Sequence, residues 1–328
     1  MSCYTRIVRV VSFGLLLAAT STVIAQQPNA YPSRPVRFII PYPPGGSTDP
    51  MGRMIATRLT ERWGQTVIVD NRPGGNTIIG TEFLAKATPD GYTIGWLSAS
   101  FFSTPSLMPN LPYDTFRDFV GVTTIAKSRS VLVLHPAVPA NNLQELIALV
   151  KAKPGEFNFA SSGVGTNTHL SGELFNQVTG TKILHIPYKG SGPASTDLLG
   201  GRVQMSFQIP ITVIPFINAG RLKAIAVSGE TRLQALAQVP TFIEAGLPSF
   251  GLSSVSGIIA PARTPRPVIG KIAGEVGAIL AMPSTQEFLV KQGAEHYIST
   301  PEQTAKIIKE EAARYAKIIK DAGITHQP

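Results

Sequence analysis

The chain has 328 residues, of which 43% are hydrophobic, and it carries a formal net charge of +9. This is enough apolar material for a real core, and the length predicts two domains. The single cysteine, Cys3, excludes disulfides, cysteine metal ligands and a thiol nucleophile from the part of the chain that follows it.

Residues 1–25 have the pattern of a secretory signal peptide. Arg6 and Arg9 form a basic start, residues 10–24 are mostly apolar, and small residues precede the expected cleavage after Ala25. A membrane anchor is the alternative, but the apolar run is short for a span of roughly 20 residues. Cys3 does not lie at the cleavage site, which argues against a lipid anchor. We therefore expect a soluble monomer in the periplasm of a Gram-negative bacterium.

A basic chain often binds nucleic acid. Export makes that improbable here, and the lysines and arginines are scattered along the sequence rather than clustered. The charge fits a general preference for anionic solutes better. We therefore expect no nucleic-acid partner.

Short β-rich runs alternate with helical patterns along the first third of the chain. In order they are VRFIIPY, a helix to Trp63, TVIVDN, a helix from about Ile78 to Ala87, and YTIGWLS. This alternation is typical of a parallel sheet covered by helices.

A second series of the same kind begins near Asn141. A helix capped by Asn142 is followed by FNFASS, a helix from about Thr166, KILHIPY, a helix, VQMSFQ, a helix and KAIAVS. The remainder contains SSVSGIIA and three helical patterns, of which the last opens with a capping box at Thr300 and ends at Gly323.

The two series predict an α/β protein of two doubly wound lobes with a ligand cleft between them. We expect the first lobe to comprise residues 26–129 and 228–328, and the second lobe to comprise residues 130–227. The chain then crosses between the lobes twice, and a cleft between such lobes is a natural small-molecule site.

The loop Pro43 to Pro50 follows the first strand and opens a helix. Its prolines cannot donate ladder hydrogen bonds, and its glycines permit close approach of a ligand. With Asp49 as N-cap, the amides of Gly45, Gly46 and Ser47 would point outward near a positive helix end, which suits a carboxylate or phosphate. An ordinary, empty βα turn is the alternative.

The loop Ser161 to His169 is placed in the same way in the second series. It lacks the third glycine of a dinucleotide loop, because Thr168 stands there, and it lacks the lysine of a P-loop. The helix dipole disfavours a charged His169, for which a neutral packing or capping role competes with ligand contact.

Other signals are weaker. Tyr188, in HIPYKGSGPASTDLLGG, suits the core as well as it suits a ligand site. The sequence contains no G-x-S-x-G, no H-E-x-x-H and no paired-histidine metal spacing, so we expect neither catalysis nor a metal nor a cofactor.

At these loops the sequence resembles the substrate-binding proteins of tripartite tricarboxylate transporters, also called the Bug or TctC-like family. The matching stretches include YPSRPVRFIIPYPPGGSTD, VIVDNRPGG, NNLQELIALVKAKPGEFNFASSGVGTNTHLSGELF and HIPYKGSGPASTDLLGG. They follow the family order and, with others, cover essentially the whole chain after the signal.

The resemblance implies a type II periplasmic binding protein that closes on a carboxylate and delivers it to membrane subunits without catalysis. It places the binding loops at Pro44 to Asp49 and Ser161 to His169. The expected ligand contacts are Pro44, Gly45, Gly46, Ser47, Asp49, Ser98, Ser161, Gly163, Gly165, Thr166, His169, Tyr188 and Gln208.

Two departures from the family pattern bear on the ligand. The family usually reads P-G-A-G-G-N-I-G where this chain has Pro73 to Gly80, and it commonly has aspartates at the positions of Gln204 and Gln208. We expect Gln208 to face the cleft and to remove a repulsion of a second carboxylate, with Trp96, Phe101 and Phe102 near an apolar end. The expected ligand is therefore a di- or tricarboxylate or an aromatic acid. A sensor for a two-component system is the alternative function, and a periplasmic hydrolase a less favoured one.

Overall fold

The computed structural model describes residues 31–46, 48–248, 250 and 253–324. The predicted signal peptide and Ser47 lie outside these residues. The described residues from Pro32 onward form one compact unit. No helix in the described ranges is both long and apolar enough to cross a membrane.

The strands and helices alternate as the sequence predicts. The strands are β1 (Val36–Ile40), β2 (Val67–Asn71), β3 (Thr93–Leu97), β4 (Phe119–Arg129), β5 (Val131–Leu134), β6 (Asn158–Ser161), β7 (Leu184–Pro187), β8 (Met205–Gln208), β9 (Lys223–Val227), β10 (Ser253–Pro261) and β11 (Ala294–His296). The α-helices are α1 (Asp49–Trp63), α2 (Ile78–Ala85), α3 (Ala99–Leu107), α4 (Leu143–Ala152), α5 (Asn167–Thr179), α6 (Ser191–Leu199), α7 (Pro210–Asn218), α8 (Arg266–Leu280), α9 (Pro283–Lys291) and α10 (Pro301–Asp321).

The strands form two sheets. A six-stranded sheet has the order β11-β4-β10-β3-β1-β2, and a five-stranded sheet has the order β7-β6-β8-β5-β9. Parallel pairs join β1 to β2 and β3, and β6 to β7 and β8, while β10, β4, β5 and β9 pair antiparallel to their neighbours. The chain passes from one sheet to the other after Arg129 and back after Val227.

Each sheet has its own apolar core. In the second lobe Phe159, Phe175 and Phe207 are fully buried between the five-stranded sheet and its helices. In the first lobe α10 packs Tyr315 against Phe102 of α3, with ring centroids 5.8 Å apart. The C-terminal helix therefore shares one apolar core with α3.

The predicted capping box of α10 is confirmed. Thr300 Oγ1 accepts a hydrogen bond from the amide of Gln303 at 3.2 Å, and Gln303 Oε1 accepts one from the amide of Thr300 at 2.8 Å. The helix keeps Ile308, Ala312 and Tyr315 buried, as expected for an amphipathic helix.

The turn before α2 is unusual. Asn76 and Thr77 have φ values of 52° and 75°, in the left-handed region that favours glycine. The family pattern quoted above has glycine at both positions. A β-branched threonine pays a steric cost there, so the surrounding structure must hold this turn in place.

Candidate functional site

The site is a cavity of about 150 Å³ between the two lobes. The N-cap residues of five helices line it: Thr48 of α1, Ser98 of α3, Thr166 of α5, Gly190 of α6 and Ile209 of α7. Each of these helices directly follows a strand of one of the sheets. In open α/β sheets, ligands bind at the carboxyl ends of the strands, where such helices begin.

Both lobes contribute to the wall. The first lobe supplies Tyr42, Pro43, Pro44, Gly45, Gly46, Thr48, Met51, Trp96, Ser98, Ala99, Ser128, Ser254, Ser256 and Gln292. The second lobe supplies Ser162, Thr166, Asn167, Thr168, Lys189, Gly190, Ser191, Gly192, Pro193, Ile209 and Ile211.

The described part of the cavity wall carries no negative charge. Among the described residues that line the cavity there is no aspartate or glutamate, and Lys189 is the one charged side chain. Burial raises the pKa of Tyr42 above its ordinary value, although hydrogen bonds with Ser100 and Ser98 oppose the shift, so its phenol is neutral. Since helix N-termini carry partial positive charge, the electrostatics favour an anion.

The first predicted loop is held by Asp49. Its carboxylate accepts hydrogen bonds from the amide of Gly45 at 3.1 Å, from Arg53 Nε at 2.9 Å and from Asn71 Nδ2 at 3.0 Å. Burial opposes ionisation, but these three bonds hold the pKa of Asp49 below its ordinary value. The prediction of Asp49 as N-cap is wrong by one residue, because Thr48 is the N-cap. Asp49 instead ties the loop to the helix.

The second predicted loop is held by its own side chains. The amide of Ser162 donates to Thr168 Oγ1 at 2.9 Å, and the amide of Gly163 donates to Ser161 Oγ at 3.1 Å. Thr166 caps α5 by accepting from the amide of His169 at 3.4 Å. The amides of the first helical turn have no carbonyl partner within the helix. Asn167 and Thr168 lie in that turn and line the cavity.

A third helix start, which the sequence analysis ranked as weak, also lies at the cavity. The run from Lys189 to Pro193 enters α6 with Gly190 at a φ of 109° and without a side-chain cap. The amide of Gly190 donates to the carbonyl of Ser162 at 3.2 Å, which joins this loop to the second predicted loop. The signal in the sequence was the pair of glycines, Gly190 and Gly192, at the start of α6.

Five of the predicted contact residues line the cavity: Pro44, Gly45, Gly46, Ser98 and Thr166. Seven others lie outside its wall: Asp49, Ser161, Gly163, Gly165, His169, Tyr188 and Gln208. Ser47 is outside the described residues. Which of these residues touch a ligand remains a prediction.

Tyr188 and Gln208, which lie outside the wall, hydrogen-bond to side chains of their own lobe. Tyr188 Oη donates to Asp197 Oδ2 at 2.7 Å. Gln208 is fully buried, where its Nε2 donates to Ser206 Oγ at 2.8 Å and its Oε1 accepts from Thr212 Oγ1 at 3.3 Å. Of the three aromatic residues expected near the ligand, Trp96 lines the cavity, whereas Phe101 and Phe102 belong to the core of the first lobe.

His169 supports the second loop from behind. Its Nδ1 accepts a hydrogen bond from the amide of Gly165 at 3.0 Å, and its ring stacks on His185 with centroids 3.9 Å apart. His185 Nε2 lies 2.6 Å from Ser161 Oγ, and Glu173 lies 3.6 Å from His169 Nε2. The two histidines thus fix both ends of the loop from Ser161 to Gly165.

His169, Glu173 and His185 also have the residue types of a metal site, with ligand atoms within 4.8 Å of one another. The hydrogen bonds disfavour that interpretation. Because Nδ1 of His169 accepts an N–H, the proton of the neutral ring lies on Nε2, the atom that would have to bind the metal. Stacked rings also direct their nitrogen lone pairs along separate planes rather than to one point.

The stability of the protein should fall as the pH is lowered from about 6.5. Burial, and then the neighbouring His169, lower the pKa of His185 from 6.5 to about 3. The unfolded chain therefore takes up a proton on this residue at a higher pH than the folded chain. Between those pH values, one such proton gives a slope of about 1.4 kcal/mol per pH unit. Urea unfolding of wild type and His185→Gln between pH 4 and 7 measures the slope.

His296→Gln is the matched control, since His296 is an exposed histidine of β11. We expect the His185 variant to show a shallower slope than both wild type and this control. Equal slopes in all three proteins would show that His185 is not held neutral by the fold.

Comparison with known proteins agrees with this architecture. The model of the tripartite tricarboxylate transporter family receptor matches residues 51–324. Protein BugT of Bordetella pertussis is 39% identical over 324 residues, which are 97% of this chain and 98% of BugT.

Solved structures extend the likeness. Rpa4515 of R. palustris, solved with adipate, has a TM-score of 0.87 at 33% identity, over 90% of this chain and 100% of that one. The periplasmic binding protein BugD has a TM-score of 0.85 at 34% identity, with the same coverage. The chain therefore belongs to the tripartite tricarboxylate transporter receptor family, and it is a solute-binding protein of the type II periplasmic-binding-protein fold rather than an enzyme.

Proposed function

We propose that the protein captures a small organic carboxylate in the interlobe cavity and delivers it to the membrane subunits of a tripartite tricarboxylate-type transporter. The observation that carries the proposal is the convergence of five helix N-termini on a cavity whose described lining residues include no acidic side chain. The adipate in the structure of Rpa4515 supports the ligand class. Family membership supports a periplasmic location. Cleavage of a signal peptide after Ala25 stays a prediction.

The carboxylate is bound by the first turns of α5 and α6, with the loop of Gly45 and Gly46 closing over it from the first lobe. One helix N-terminus contributes roughly 0.3–1 kcal/mol to an anion, and up to about 2 when it is partly buried. A hydrogen bond to a charged acceptor contributes about 1.5–3 kcal/mol. Two termini and three such bonds supply a gross free energy that brackets the roughly 8 kcal/mol of micromolar affinity. No arginine is needed.

Thermal unfolding with a panel of organic acids tests this proposal. A ligand at 100 times its dissociation constant should add about 2.7 kcal/mol to the free energy of unfolding. The panel contains mono-, di- and tricarboxylates and aromatic acids, with the matching amides as uncharged controls. We expect an acid, and not its amide, to raise the melting temperature.

Stabilisation by amides or amines but by no acid would contradict the proposal. The transport step is tested separately, by uptake of the labelled acid in cells with and without this chain. Binding without a difference in uptake would point to the sensor alternative.

A further inference from the structure

We propose that the ligand has a single carboxylate on a flat, apolar body about the size of one aromatic ring, rather than two or three carboxylates. This inference rests on the proposed function and concerns the same cavity. It comes from the uneven distribution of charge and polarity over the wall.

The capacity for an anion lies on the second lobe. The helix starts at Thr166 and Gly190 are adjacent there, joined by the hydrogen bond from Gly190 to Ser162. Lys189 is exposed beside them and makes no ion pair with any residue in the described part of the chain. One bound carboxylate would occupy both helix starts and pair with Lys189, so none of these positive groups would be left for another.

The matching helix start of the first lobe is largely neutralised. Asp49 lies in the first turn of α1, where its negative charge offsets the positive end of the helix. Its Oδ2 also occupies the amide of Gly45, one of the donors that a carboxylate would need. Arg53 pairs with that same carboxylate at 2.9 Å, so its charge is already matched.

The other described residues of the first-lobe wall are uncharged. Met51 and Trp96 are buried residues of α1 and β3, and Met51 Sδ lies 3.8 Å from Ser256 Oγ. Ser128 faces Ser254 across the β4–β10 ladder. From the second lobe, Ile209 and Ile211 add apolar surface.

A second carboxylate in this region would lose its water without gaining a charged side chain among the described residues that line it, and would meet only the partial positive charges at the starts of α3 and α7. Desolvation without a partner opposes ionisation and therefore binding of the dianion. The apolar body of an acid, by contrast, gains from leaving water. Trp96 lines this part of the cavity, and an aromatic side chain suits contact with a flat ring.

The size of the cavity agrees with one ring. Its volume is about 150 Å³, and an engineered apolar cavity of roughly that volume binds benzene. A benzoate-like acid, with its ring in the cavity and its carboxylate at α5 and α6, fits this volume.

Calorimetry at fixed ionic strength tests the inference with matched acids. The pairs are benzoate with terephthalate, and hexanoate with adipate. We expect each monoacid to bind about tenfold or more tightly than its diacid, a difference of roughly 1.4 kcal/mol. If the diacids bind equally or more tightly, the inference fails while the proposed function stands. If no acid binds, the proposed function fails as well.

A charge introduced into the neutral wall tests the cause of the preference. Ser254→Lys places a cation at the cavity, and Ser253→Lys is the matched control, because neighbouring strand residues point to opposite faces. We expect Ser254→Lys to shift the monoacid-to-diacid affinity ratio toward the diacid by about tenfold, and Ser253→Lys to leave the ratio within about twofold. Thermal unfolding verifies that both variants fold. An unchanged ratio in folded Ser254→Lys would overturn the role of the neutral wall.

Discussion

Gly46→Val is expected to weaken carboxylate binding about 100-fold or more, which corresponds to roughly 2.7 kcal/mol, while the protein stays folded. Gly46 lines the cavity, and its φ is not in the left-handed region. A Cβ at this position would lie 3.5 Å from the carbonyl oxygen of Pro43, an ordinary contact. The loop therefore accepts the new side chain without strain, at a residue that borders the cavity. Overpacking costs about 1–3 kcal/mol, and a lost bond to a charged acceptor costs about 1.5–3 kcal/mol more.

Gly274→Val is the control for this substitution. Gly274 is an exposed residue of α8 with open space around it and lies outside the cavity wall. Calorimetry should show affinity within about twofold of wild type for the control, because a remote surface change leaves the site intact. Undiminished affinity in Gly46→Val would place the ligand elsewhere. Gly163→Val is expected to abolish binding too. Because the φ of Gly163 is +131°, this substitution also strains the backbone of the loop, so the loss of binding would not report on the cavity alone.

The sequence allowed the two main loops to be predicted because glycine and proline have local physical meaning. Pro43 to Gly46 ends a strand, and Ser161 to Thr166 opens a helix, and both segments border the cavity. The capping or packing role weighed for His169 agrees with its acceptance of the Gly165 amide. These features follow from the residues themselves and from their nearest neighbours in sequence.

Helix α3 was not predicted, for a reason that lies in its burial. Ala99 to Thr104 are all buried, so the helix has no polar face and no amphipathic period. Its Pro105 is also a poor helix signal. The N-terminus of α3 at Ser98 nevertheless contributes to the cavity.

The neutral wall could not be predicted from sequence. Ser128, Ser254 and Gln292 are far apart in the chain and meet only because β4, β10 and the end of α9 are neighbours in the fold. A single serine within a strand belongs to no sequence motif that would mark it as a cavity residue. Gln208 shows the reverse case, since the end of a strand suggested the cleft but the side chain turns to Ser206 and Thr212.

Gly165→Ala is expected to lower the free energy of unfolding by about 2–5 kcal/mol. Gly165 has a φ of +72°, which costs an alanine about 1–2 kcal/mol. An added Cβ would also lie 2.4 Å from Leu107 Cδ1 and 2.9 Å from Ser103 Oγ, both on α3 of the first lobe. Overpacking of that kind costs about 1–3 kcal/mol. Ser103 Oγ donates to the carbonyl of Gly165 at 2.6 Å, so displacement of the loop also threatens this bond between the lobes.

Gly155→Ala separates the two costs. Gly155 has a φ of +84°, is exposed, and has nothing within 4 Å of an added Cβ. This control should lose only the backbone term, about 1–2 kcal/mol, in urea unfolding at neutral pH. The excess loss in Gly165→Ala then measures the packing of the second binding loop against α3. Equal losses of unfolding free energy in the two variants would show that α3 accommodates the added Cβ without a packing penalty. The contact between the lobes would then not fix the loop.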